Sequence, residues 1–254
     1  MSKSYFISGA NRGIGFALVK VLSAESKNTV VAGVRNVDGA GELKKWADVH
    51  TNVKIVSLDV STAESNEKAA KEVASILPDG LDVLIANAGI ANSAGATILE
   101  SADVSYYEHF TVNTVGPIRL LRAFKSLLDK KSTKHFAVVS SAAGSLVSNI
   151  NFPLSTSSYG LSKAGIDFAI INLNRELGPE GYKVVALHPG VVSTDMGKKA
   201  LNDERFKDVL DEVSEQFPII TPEESAEAIN KNILEKLPEI AGKFISYDGT
   251  EVPW

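Results

Sequence analysis

Short apolar runs alternate with stretches of helical periodicity along the whole chain, and this alternation most constrains what it can fold into. The runs Tyr5–Ser8, Thr29–Gly33, Val53–Ser57, Asp82–Ala86, Phe136–Val139, Lys183–Leu187 and Lys243–Ser246 read as strands. Their near-continuous Val, Ile and Leu content suits strands buried on both faces of a parallel sheet. Helical patterns lie near residues 14–25, 39–47, 62–77, 102–129, 159–177 and 222–236. Strand–helix alternation from end to end predicts an α/β, doubly wound sheet. Two helix starts are marked: Ser61-Thr-Ala-Glu64 and Thr221-Pro-Glu-Glu224 each place a hydroxyl at the N-cap and a glutamate three residues on. With 254 residues and no repeat, linker or low-complexity tract, residues 1–254 are expected to form a single domain. Such a chain buries roughly three quarters of its unfolded surface, enough for a full core.

The first strand runs into Ser8-Gly-Ala-Asn-Arg-Gly-Ile-Gly15 and then into a helix. Glycines there permit positive φ and close backbone approach, and the following helix N-terminus turns its N–H groups toward a pyrophosphate. A bare glycine pattern is weak; placed between a strand and a helix it predicts a dinucleotide site. An NAD site usually has a carboxylate at the end of the second strand for the ribose 2′-hydroxyl. Here that strand ends Val34-Arg35, and Arg12 lies inside the glycine loop. Two guanidinium groups favour the 2′-phosphate of NADP(H), the cofactor expected. Asp38 is the nearest acid and could act against this, and Arg35 as a solvated loop residue is the plainer alternative.

Further on, Tyr159-Gly-Leu-Ser-Lys163 sets a phenol and an ammonium one helical turn apart on one face. A lysine beside a tyrosine stabilises phenolate, so the tyrosine is expected to titrate below its free value of roughly 10. Any solvated helix could carry such a pair, so its meaning depends on the dinucleotide site nearby. Composition narrows the rest. A net charge of −5 without a basic block argues against nucleic acid and an anionic membrane surface as partners. The absence of cysteine excludes thiolate catalysis, disulfides and zinc–thiolate sites. No HExxH motif or histidine cluster is present, so no metal is expected, and His50, His109, His135 and His188 read as structural. MSKSYFISGA lacks the apolar core of a secretory signal, no run reaches the roughly 20 residues of a membrane span, and EVPW carries no prenylation or peroxisomal signal. A cytoplasmic location is the default.

With these pieces in place, the chain resembles the short-chain dehydrogenase/reductase family from about Tyr5 to Met196. The family's TGxxxGIG appears with Ser8 for its threonine, keeping the hydroxyl, so the resemblance assigns Gly9, Asn11, Arg12, Gly13, Ile14 and Gly15 to the cofactor. Asp59, followed by Val60, matches the acid that contacts the adenine amino group, and Arg35 joins them. NNAG appears as Ala86-Asn87-Ala88-Gly89, its first asparagine missing. Pro189, Gly190, Val192 and Thr194 lie in the segment that contacts the nicotinamide carboxamide. Asn113, Ser141, Tyr159 and Lys163 match the catalytic tetrad, with Tyr159 and Lys163 also touching cofactor. Ser140 and Ser141 point to opposite faces of a strand; the family's SSAAG segments use the second, which makes Ser141 the candidate. In the family, the asparagine holds a kinked helix and a water that completes the proton path.

The resemblance implies a single-domain Rossmann fold, a seven-stranded parallel sheet in the order 3-2-1-4-5-6-7 with helices on both faces, and a substrate lid over about 190–221. It implies hydride transfer between NADP(H) and a carbonyl/alcohol pair, with a small-molecule substrate. The interval from Ser141 to Tyr159 is longer than usual in the family and carries Leu146, Val147, Ile150, Phe152 and Leu154. With Phe206, Val209, Leu210, Val213 and Phe217 on one face of the lid, it suggests a hydrophobic or aromatic ketone or aldehyde; plain packing of that helix on the core is the alternative. The tail from Gly242 to Trp254 is similar to that of fungal ketoreductases acting on aromatic polyketides. Other readings stay open: an NADP(H)-binding sensor without turnover, an NAD-dependent alcohol dehydrogenase, or an epimerase or dehydratase. The helices at 102–129 and 159–177 correspond to the family's usual dimer faces, while related carbonyl reductases can be monomeric, so homodimer, homotetramer and monomer all stay open.

Overall fold

A computed structural model describes residues 2–92, 96–150, 155–197 and 218–254. Its strands are β1 (Ser4–Ser8), β2 (Thr29–Val34), β3 (Val53–Ser57), β4 (Val83–Ala86), β5 (His135–Val139), β6 (Lys183–His188), β7 (Val191–Val192), β8 (Ile219–Ile220) and β9 (Phe244–Ser246). Its helices are α1 (Gly13–Ser23), α2 (Gly41–Val49), α3 (Ala63–Ile76), α4 (Asp103–His109), α5 (Gly116–Leu128), α6 (Leu146–Asn149), α7 (Ser157–Leu177), α8 (Pro222–Ile229) and α9 (Leu237–Ile240).

All seven expected strands join one parallel sheet in the order β3-β2-β1-β4-β5-β6-β9, so the predicted topology holds. Alternate residues of each strand feed two cores. Tyr5, Ile7, Val30, Ala32 and Ile85 pack with Leu18, Leu22, Leu43 and Ile229 on one face. Phe6, Val31, Leu84, Phe136 and Val138 pack with Val73, Leu120, Phe124, Ile166 and Ile170 on the other. Helices α1, α2 and α8 thus cover one side, and α3, α5 and α7 the second. Phe6 and Phe124 meet with ring centroids 4.4 Å apart at the centre of the second core.

Three local features depart from the expectation. The pattern at 102–129 is broken between α4 and α5 by a π-helical stretch, Phe110–Val115, which holds Asn113. Such stretches concentrate at functional sites because they re-aim side chains within a helix. A second small sheet pairs β7 with β8 and so joins the two ends of the expected lid segment. Residues 198–217, with the apolar positions from Phe206 to Phe217, lie outside the described residues, as do Phe152 and Leu154. At α3 the N-cap is Thr62, whose side chain accepts from the Ser65 N–H, and not Ser61. The second cap is as expected: Thr221 and Glu224 form a reciprocal capping box with Pro222 in the first turn. Among the described residues, no helix is long and apolar enough to cross a membrane.

Phe124→Ala should lower stability by about 3–5 kcal/mol in urea unfolding, since its ring is fully buried in the core against Phe6. A loss under 1 kcal/mol would contradict the packing described.

Candidate active site

At the carboxyl end of β1 the chain turns through Gly9, whose φ is +67°, and both the Gly9 and Ala10 N–H groups donate to the Gly33 carbonyl. The turn is tied sideways to β4. Asn87 Nδ2 donates to the Ser8 carbonyl at 2.9 Å and the Gly9 carbonyl at 3.1 Å. The Ser8 hydroxyl accepts from the Asn87 and Ala88 N–H groups. Gly15 fits into this knot: a Cβ there would collide with the Gly9 carbonyl and stand 2.5 Å from Asn87 Nδ2. Helix α1 then begins with no side-chain cap and no acid in its first turn. Its first N–H groups and the positive end of its dipole face the turn.

A cleft of about 650 Å³ opens above this end of the sheet. Gly9, Asn11, Arg12, Gly13, Ile14, Gly15, Arg35, Asp59, Val60, Asn87, Ala88, Gly89, Tyr159, Lys163, Pro189 and Thr194 all line it. Four expected residues do not. Gly190 instead packs on Ile220 and Tyr247, Val192 is buried in the β7–β8 pair, Asn113 is buried, and Ser141 is half-buried beside the lining residue Ser140. Asn36, Leu58, Ser61, Ile90, Val139 and Met196 border the cleft and escaped the sequence reading.

Charge in the cleft is set by a few groups. Burial would raise the Asp59 carboxyl, but hydrogen bonds from Ser61 and the nearby Arg35 charge outweigh it and hold the carboxyl below its ordinary range. Asp38 is fully exposed, pairs with Lys44 at 3.1 Å, and does not reach the cleft. Arg12 reaches across to Asp195 at 3.0 Å, linking the glycine loop to the segment after β7. Among the described residues, no cluster of His, Cys, Asp or Glu is placed to hold a metal ion.

Tyr159 and Lys163 come from the first turns of α7, where the helix crosses the end of β5. Lys163 is 5 % exposed, and its Nζ donates to the Val139 carbonyl at 2.8 Å. It lies 5.8 Å from the centre of the Tyr159 ring. The expected depression of the tyrosine by this lysine is not what the structure shows. Burial raises the Tyr159 phenol above its ordinary value, Asp167 adds to the rise, and a hydrogen bond with Ser141 acts against it. The lysine is drawn instead to a backbone carbonyl, and burial brings it down to about 8, with Asp167 opposing.

The hydroxyl beside the Tyr159 phenol is thus that of Ser141, which also accepts from the Ala143 N–H at the head of a short turn, Ala142–Gly144. Ser140 borders the cleft, but its own hydroxyl is wholly enclosed and turned toward Asp167. Asn113 spends its amide on structure: it accepts from the Ile90 N–H and donates to the Ile90 carbonyl and the Ser162 hydroxyl. Two of the histidines frame the site. His188 Nδ1 accepts from the Ala142 N–H, and burial brings its imidazole down to about 4, so it is neutral and steadies the Ser141 loop. His109, fully buried, meets Tyr159 edge-on at 6.3 Å and binds the Asn92 N–H.

A family model described as short chain dehydrogenase matches residues 3–205. The chain belongs to the short chain dehydrogenase family. Its relatives in that family include an oxidoreductase of Schizosaccharomyces pombe, 39 % identical over 100 % of this chain and 98 % of its own. The short chain dehydrogenase gsfK of Penicillium aethiopicum is 33 % identical over the whole of both chains. Among solved structures, the NADPH-bound carbonyl reductase from chicken fatty liver superposes with a TM-score of 0.86 at 32 % identity, covering 100 % of this chain and 99 % of that one. This short chain dehydrogenase is therefore an oxidoreductase of a known fold, with its glycine loop and tyrosine–lysine helix converging on one cleft.

The tightness around Gly15 gives a direct check. Gly15→Ala forces the Gly9 carbonyl and Asn87 apart and should destabilise the fold by about 1–3 kcal/mol, read by urea unfolding. An unchanged midpoint would show that the knot is loose.

Proposed function

We propose that the protein is an NADP(H)-dependent reductase of a ketone or aldehyde, with a hydrophobic or aromatic carbonyl compound as substrate. The observation that carries this reading is the meeting, at one end of a glycine-lined cleft, of a protonated phenol, a partnering hydroxyl and a buried ammonium. The cleft residues suit a dinucleotide: the α1 N-terminus is uncapped, carries no acid in its first turn and borders the cleft through Gly13, Ile14 and Gly15. Arg35 borders the cleft at the end of β2, with Asp38 turned away to Lys44, which suits a 2′-phosphate over a free 2′-hydroxyl. The NADPH carried by the chicken carbonyl reductase agrees with this preference.

When bound, the nicotinamide supplies the hydride taken up by the carbonyl carbon. Tyr159 gives its phenolic proton to the carbonyl oxygen as charge builds there, which completes the alcohol. Its raised pKa keeps that proton in place at neutral pH, as a proton donor needs. Ser141 hydrogen-bonds the same oxygen and the phenolate left behind. Lys163, at the cleft wall, would hold the nicotinamide ribose and set a positive charge near that phenolate. Asn113 fixes Ile90 and Ser162 around the pair and acts through them.

The choice of an apolar substrate rests on side chains flanking the start of α7. Leu146, Val147 and Ile150 are exposed on the segment after Ser141, and Ile98 and Leu99 on the segment tied to Ser157. The β7–β8 pair joins the ends of the segment assigned here as the lid. Assembly as a homodimer or homotetramer is part of the same proposal, supported by Phe168 and Ile171 standing exposed on α7.

The test is loss of NADPH absorbance with a panel of aryl ketones, α-diketones and aldehydes. Wild type should turn over at least one class, faster with NADPH than NADH. Tyr159→Phe should fold and bind NADPH as before, but lose about 100-fold or more in kcat. Wild-type turnover by Tyr159→Phe would overturn the mechanism, and tight NADPH binding without any turnover would point to a sensor.

A further inference from the structure

Lys163 is a buried ammonium whose one hydrogen bond among the described residues, to the Val139 carbonyl, carries no countercharge. One turn further along α7 lies Asp167, 4 % exposed, with both carboxyl oxygens enclosed and no donor among the described residues in hydrogen-bonding geometry. The Ser140 hydroxyl, enclosed and unpartnered by the same measure, faces it. The pocket is tight: a Cβ on Gly144 would stand 2.8 Å from Asp167 Oδ2 and 2.7 Å from the Lys163 carbonyl carbon. The carboxyl is therefore wedged between α7 and the turn that carries Ser141. A carboxylate so placed is costly unless a charge answers it, and an apolar residue would pack at less expense.

We propose that Asp167 is the positioning residue of Lys163, a buried countercharge that keeps the lysine ammonium protonated under the Tyr159 phenol. The proposal rests on the reading of Tyr159 and Lys163 as the proton-transfer pair. The titratable groups that face Asp167 are these two, both from its own helix. From β5 and the Ala142–Gly144 turn it meets Ser140 and backbone, and His188 behind that turn is neutral. No closer carboxylate acts on Lys163 among the described residues: Asp167 alone opposes the effect of its burial. Among the described residues Asp167 and Lys163 share no hydrogen bond, and the lysine lines the cleft. Burial brings Asp167 itself up to about 7, with Ser140 and then Lys163 acting in the opposite direction.

The signs follow from the charge. A carboxylate raises the pKa of both Lys163 and Tyr159, so its removal lets both groups lose their protons at lower pH. Asp167→Asn keeps the shape and removes the charge. In the full-length protein with isotope-labelled lysine, the NMR titration midpoint of Lys163 should fall by about one pH unit. The alkaline limb of kcat for carbonyl reduction should move down with it. A lower kcat or melting temperature with both midpoints unmoved would mean that Asp167 is merely structural and would overturn the proposal. If Asp167→Asn does not fold, the wild-type protein is titrated with labelled aspartate and lysine: the Lys163 signal should shift as Asp167 ionises, and a Lys163 signal unmoved through the Asp167 titration would overturn the proposal. If wild type reduces no carbonyl while the Lys163 midpoint still follows Asp167, the reductase reading fails and the charge coupling stands.

Discussion

The structure depends on the knot that ties the end of β1 to the end of β4. These two strands are neighbours in the sheet but far apart in sequence, and at them the order of strands reverses direction. Crossovers leaving on either side of such a point open a crevice above the strand ends. Here the crevice keeps its width through side-chain bonds: Asn87 clasps the Ser8 and Gly9 carbonyls, and the Ser8 hydroxyl clasps two N–H groups of the β4 end. Serine in the place of the family's threonine keeps the hydroxyl this requires. The α1 N-terminus follows directly from the Gly9 side of that clasp, and Asn113 is joined to the chain leaving its β4 side through Ile90.

On the other side of the crevice the chemistry is governed by burial. Tyr159, Lys163 and Asp167 are three titratable groups on successive turns of one helix, each shifted first by its removal from water. Low local dielectric makes their mutual charges count for more than they would on a solvated helix. The shift of the phenol is upward, so the arrangement favours a proton donor at neutral pH over a ready phenolate. Reduction of a carbonyl requires such a donor.

Much of this was legible in the sequence, for reasons that are local. The period-2 burial of Tyr5, Phe6 and Ile7 needs only a parallel sheet covered on both faces, and the near-continuous apolar runs announce one. The glycine loop and the spacing of Tyr159 and Lys163 are likewise properties of a short stretch. What escaped depends on neighbours distant in sequence. Lys163 turns to the Val139 carbonyl because β5 ends beneath it, and nothing within the helix says so. The two-residue strands β7 and β8 are too short to carry a pattern, and the π-helical stretch at Asn113 reads as ordinary helix. Thr62 displaces Ser61 as a cap because the hydroxyl must reach the Ser65 N–H. Asp167 left a faint signal: a carboxylate between Ile166 and Phe168, one turn past a lysine, on a helix otherwise packed against the sheet.

In the proposed reaction a reduced nicotinamide and a carbonyl meet in the cleft, hydride passes between carbons, and the protein supplies only the proton. Isotope transfer tests it most directly. With NADPH deuterated at the reactive C4 position and a reducible aryl ketone, the deuterium should appear at the carbinol carbon of one enantiomer of the alcohol. The proton on oxygen should come from solvent by way of Tyr159. Alcohol without deuterium at that carbon, or with deuterium lost to solvent, would contradict the account.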